Sequence, residues 1–85
     1  MEVALFAEKS DVSEEITRLK SHLKEFKKTL SSGSPCGKKL DFLLQEMNRE
    51  ANTIGAKSQS LRLSKLALEI KARVEEARQQ VQNVE

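Results

Sequence analysis

Glu15, Arg18 and His22 follow one another at spacings of three and four residues. On a helix that spacing brings all three to one face. A carboxylate and an imidazole side by side can bind a metal ion or exchange a proton. The plainer reading is a surface ion pair beside an idle imidazole. A second set lies between Asp41 and Thr53. Asp41, Gln45, Asn48 and Asn52 fall on one helical stripe; Glu46, Arg49 and Thr53 fall on another, with Phe42 among them, and Glu50 takes the remaining flank. Asn and Asp are mediocre helix formers. A helix that carries them in its interior uses them, either in chemistry or in interhelical hydrogen bonds that set register. Phe42 on a polar face suggests that a partner covers that side.

A third set is basic. Lys20, Lys24 and Lys27 line the flank opposite Glu15 and His22, with Lys28 nearby, and Lys38 and Lys39 follow after a loop. From Ile16 to Leu40 seven basic residues accompany one acid, Glu25. Such an excess suits a polyanion backbone, because neutralised phosphates release counterions. A solvated helix face would look the same. The whole chain carries 15 basic and 13 acidic residues, so the distribution, not the total, carries this argument.

Helices must position these groups. Asp11 reads as a cap with Glu14 as its capping-box carboxylate. Val12, Ile16, Leu19, Leu23, Phe26 and Leu30 then form one apolar stripe, which Gly33 and Pro35 end. A second helix is predicted from Gly37 to Ile54, with Leu40, Leu44, Met47, Ala51 and Ile54 inward and Gly55 as its stop. A third begins near Ser58 or Ser60 and carries Leu63, Ala67, Ile70, Val74, Ala77, Val81 and Val84, with Leu66 beside them. The first nine residues look like the end of a further helical segment. The expected fold is all-α: an antiparallel bundle or hairpin of three long helices plus a short N-terminal helical segment. Leu61, Leu68 and Ala72 lie away from the main stripe, so self-association is expected.

Eighty-five residues allow one domain, 1–85, with a modest core. Three Phe, without Trp or Tyr, leave little for a base-stacking platform. Cys36 stands alone, which excludes an internal disulfide and a cysteine zinc site and fits a reducing, cytoplasmic setting. The N-terminus has no basic segment, and its apolar run is too short for a signal peptide or membrane span, so a soluble protein is expected.

The run Leu40-Asp41-Phe42-Leu43-Leu44-Gln45-Glu46-Met47-Asn48-Arg49-Glu50-Ala51-Asn52-Thr53, with Gly37 before it and Gly55, Lys57 and Ser58 after it, resembles the signature of the C-terminal domain of the bacterial YicC family. The segment from Asp11 to His22 is similar to the helix that precedes it there, and Val81 to Glu85 to the usual chain end. The resemblance therefore covers the whole chain. It implies an endoribonuclease that needs a divalent metal, acts on single-stranded or structured RNA, and assembles into homo-oligomers, hexamers in the full-length proteins, that enclose RNA. It also implies an N-terminal domain that this chain lacks, so Met1 would begin a truncated piece.

Cleaving a phosphodiester needs an activated oxygen nucleophile and stabilisation of phosphate charge, and a divalent metal can supply both. Hard cations such as Mn2+ and Mg2+ take carboxylate, amide and water oxygens. Asp41, Glu46 and Glu50 are the candidate metal ligands, and these three with Glu15, His22 and Arg49 are the candidate catalytic residues. His22 would move protons and Arg49 would hold a phosphate with its planar fork. Lys20, Lys24, Lys27, Lys38, Lys39, Arg49 and Lys57 would bind RNA. Asp41 and Glu46 diverge by about 140° on a helix, so one ion cannot collect Asp41, Glu46 and Glu50 from it. The expectation is one carboxylate per helix, or ligands from neighbouring subunits, with Glu15 and His22 converging on the helix that starts at Gly37. The rival readings are an oligomerisation and RNA-binding module without catalysis of its own, and a structural bundle for protein partners.

Overall fold

The computed structural model describes the backbone of residues 2–33 and 36–84, with side chains for residues 12–33 and 36–83. It is all-α, with three helices in order: α1 (Glu2–Ser31), α2 (Gly37–Lys57) and α3 (Leu61–Val84). The expected start at Asp11 does not occur. α1 continues unbroken from Glu2, because no Gly or Pro precedes Gly33 to interrupt it and the weaker formers Ser10 to Ser13 are flanked by strong ones. The short N-terminal segment is thus the first turns of α1. At 30 residues α1 sets the long dimension of a molecule measuring 50 × 19 × 14 Å.

Gly33 adopts φ 74°, the left-handed conformation that a residue following a helix commonly takes and that glycine accepts without steric cost. Ser34 and Pro35 lie outside the described residues. α2 begins after Cys36, whose thiol lies 3.8 Å from the Thr29 carbonyl oxygen. Gly55 does not stop α2. The helix runs on to Lys57 and ends where Ser58 turns extended, its N–H still donating to the Ile54 carbonyl at 2.9 Å. Ser60 caps α3, its hydroxyl accepting the Leu63 N–H at 3.3 Å.

α2 is the middle element. Its buried residues Leu40, Leu43, Leu44, Met47, Ala51 and Ile54 spread over more than one face. Both neighbours pack on it, while α1 and α3 do not approach each other's backbone among the described residues. One cluster joins Val12, Ile54 and Ala67, flanked by Ile16, Leu19 and Leu63. Another joins Leu44, Met47 and Val74, flanked by Phe26, Ile70, Ala77 and Val81. Full burial of a side chain such as Leu44 is worth about 1.5–3 kcal/mol. The side-chain place of Val84 lies outside the described residues.

Because α1 and α3 stand apart, an apolar groove of about 530 Å³ opens between them, with Leu44 and Met47 among its lining. Leu23, on the α1 stripe, and Leu66 line it and are partly exposed, while Leu30 at the end of the stripe is uncovered. Phe42, Leu61 and Leu68 are exposed too. Among the described residues, no helix is long and apolar enough to cross a membrane.

Candidate metal centre

α1 and α2 run antiparallel, and ion pairs mark their register. Lys39 meets Glu25 at 3.0 Å, Arg18 meets Glu50 at 3.1 Å, and Lys57 meets Glu15 at 3.1 Å. As the α1 number falls, the α2 number rises. That register brings His22 opposite Glu46 and Glu50. One donor atom from each of the three lies within 4.8 Å of the others. Glu50 is buried; His22 and Glu46 are half-buried.

The expectation that Glu46 and Glu50 occupy different faces needs correction. Residues four apart diverge by only about 40°, so both reach the edge of α2 that faces α1. Divalent cations bind imidazole and carboxylate donors at about 2.0–2.6 Å, so donors on opposite sides of one ion stand about 4–5 Å apart. Three donor atoms within 4.8 Å of one another stay inside that outer limit. An imidazole beside two carboxylates suits Mn2+ better than Mg2+, which prefers oxygen ligands and keeps its waters.

Asp41 is not brought to this group. Its Oδ1 accepts from Arg78 Nε at 3.1 Å and its Oδ2 from Gln45 at 2.8 Å, so it faces α3. Glu15 is adjacent to the group but otherwise engaged. Its side chain is 5% exposed, and Oε2 takes the Lys57 ammonium at 3.1 Å and lies 3.4 Å from Arg18 Nη2. Its Oε1 is buried without a hydrogen-bond partner among the described residues. The Lys57 hydrogen bond, with charge from Lys57 and Arg18, holds the Glu15 carboxyl below its ordinary range despite burial. Arg18 is shifted the other way, raised chiefly by its hydrogen bond to Glu50. Arg49 Nη1 lies 3.6 Å from Glu46 Oε1, and its side chain is largely exposed.

The other expected RNA contacts are dispersed. Lys20 borders the apolar groove, and Lys24, Lys27 and Lys38 are exposed. The stripe of Lys20, Lys24 and Lys27 runs along the far flank of α1 from His22. Lys39 is paired with Glu25, whose carboxyl the Lys39 ammonium holds below its ordinary range. Lys57 is paired with Glu15.

The family description "Endoribonuclease YicC-like, C-terminal" matches residues 1–85, the whole chain. The chain belongs to this family. Over 84 residues it is 49% identical to the "Probable endoribonuclease YicC" of Clostridioides difficile and 44% identical to the protein of the same name from Haemophilus influenzae. Each match covers 99% of this chain and 29% of the relative, so the chain spans under a third of the length of these curated relatives. No solved structure matches it.

In this YicC-like chain the spacing of Arg18 to Glu14 and Glu15 gives the ion pair expected on that face, while its contact with Glu50 across the helices is not legible in the sequence. Arg78 sits 37 positions from Asp41, and only the packing of α3 on α2 reveals that pair.

Proposed function

We propose that this chain is the helical C-terminal part of a metal-dependent endoribonuclease, in which His22, Glu46 and Glu50 hold a divalent cation, Mn2+ in preference to Mg2+. The carrying observation is the convergence of those three donors from two helices. A bound divalent ion would supply a more acidic water and neutralise charge on the scissile phosphate. The protein's own groups do the rest. Glu50, buried and hydrogen-bonded, is the fixed ligand. Glu46 and His22 close the set from the half-exposed side. Arg49, beside Glu46 and open to solvent, is placed to receive a phosphate oxygen with its guanidinium fork. Asp41 has no part in this set; its work is to join α2 to α3. The RNA is single-stranded or structured, and the setting is cytoplasmic.

The test is cleavage of a labelled single-stranded RNA with Mn2+, with Mg2+ and with chelator. Cleavage that needs the metal and disappears in Glu46→Gln supports the reading. Cleavage that survives both chelator and Glu46→Gln refutes it.

A second reading has its own observation. Lys20, Lys24 and Lys27 lie away from the three donors, and Phe42, Leu61 and Leu68 expose apolar surface. A helical module that binds RNA and self-associates, as in the hexameric assembly expected of full-length family members, accounts for these features without catalysis. Salt-sensitive RNA binding with no cleavage under any metal would favour it.

A further inference from the structure

We propose that Arg18 is the positioning residue of this centre, its guanidinium fixing the Glu50 carboxylate for the cation by tying it to Glu15. The inference rests on the metal reading above. Glu50 comes from α2 and has a long side chain that must be oriented before it can serve as a ligand. Arg18 reaches across from α1, and its Nε donates to Glu50 Oε2 at 3.1 Å. A carboxylate has lone pairs to spare, so this bond fixes the group while leaving acceptor capacity for an ion.

Arg18 is itself held. Its Nη2 lies 3.4 Å from Glu15 Oε2, and its Nη1 lies 3.7 Å from Glu14 Oε2. Glu15 is in turn held by Lys57 at 3.1 Å. A chain of alternating charge, Lys57–Glu15–Arg18–Glu50, thus leads from the end of α2 through α1 and back to the candidate ligand. Glu15, Glu46 and Glu50 crowd one helix interface, with Arg18 and Lys57 inside it and the largely exposed Arg49 beside Glu46. The geometry calls for arginine in particular. Separate nitrogens of one planar group reach Glu15 and Glu50, which a lysine ammonium, a compact point charge, does not reproduce.

Groups that orient metal ligands are typically worth about 10–100-fold in metal affinity. Mn2+ binding to the purified chain is read from the paramagnetic resonance signal of the free aqueous ion, with helicity checked by circular dichroism. Arg18→Ala and the charge-keeping Arg18→Lys should each weaken binding by about 10-fold or more. Added to Glu50→Gln, Arg18→Ala should cause no further loss, because Arg18 acts through Glu50. If Arg18→Ala unfolds the helices, Arg18→Lys decides. Unchanged binding in Arg18→Lys overturns the positioning role while the metal reading stands. No Mn2+ binding by the wild-type chain overturns the metal reading and this inference with it.

Discussion

Asp41 and Glu50 sit on opposite edges of α2: Asp41 accepts from Arg78 of α3 at 3.1 Å, and Glu50 accepts from Arg18 of α1 at 3.1 Å. Nine residues make about two and a half turns, which turns the two carboxylates away from each other. The central helix thus divides its acids between two jobs. The α3 edge fastens the bundle, and the α1 edge gathers groups able to hold a cation.

This division predicts different consequences for the two edges. Arg78→Ala or Asp41→Asn should lower stability by about 1 kcal/mol, a typical scale for a partly exposed charged pair. For a domain of this size that is a fall of roughly 4–8 °C in Tm. Mn2+ binding should not change in either variant. Thermal melts and metal titrations of the same samples check this; loss of Mn2+ binding in Asp41→Asn would return Asp41 to the metal site.

Stability should depend on pH in one direction. Glu15 and Glu25 are held below their ordinary value of 4.5, mainly by Lys57 and Lys39 respectively. A depressed carboxyl stabilises the fold above its unfolded value, and that contribution disappears as pH falls through the lower, folded value. Stability from these two groups should therefore hold from neutral pH down to about 4.5 and decline below it. The Glu15→Gln, Glu25→Gln double variant should show a shallower acid decline in denaturant unfolding at stepped pH. An equal decline in wild type and variant would show that these pairs do not govern it.

The basic flank should behave independently of the three donors. Replacing Lys20, Lys24 and Lys27 with Gln should weaken RNA binding and cut the salt slope by about 2, the value for three phosphate contacts on a single strand. Mn2+ binding should be retained, since these residues occupy the other flank of α1. Filter binding across a salt series gives the slope; an unchanged slope would remove them from the RNA interface.

Much of the fold is written in local pattern. The four-three spacing of Leu63, Ala67, Ile70 and Val74 gives α3, and Ser60 gives its cap. The Asp11 cap pattern misled because nothing upstream of it breaks a helix, and Gly55 misled because a single glycine inside a helix costs only about 1 kcal/mol relative to Ala and need not end it. The candidate centre was half legible. His22 and the α2 carboxylates stood out by type, and their convergence across helices was expected. Which acids converge depends on helix register, set by distant pairs such as Lys39–Glu25 and Lys57–Glu15 that no local spacing encodes. The same register withdraws Asp41 and commits Glu15 to Lys57.

The central claim is that His22, Glu46 and Glu50 bind one divalent ion, and diffraction from crystals soaked in Mn2+ tests it most directly. An anomalous peak about 2.0–2.3 Å from one atom of each residue is the predicted result. A peak at Asp41, or no peak among the three donors at a saturating concentration of Mn2+, would contradict the account.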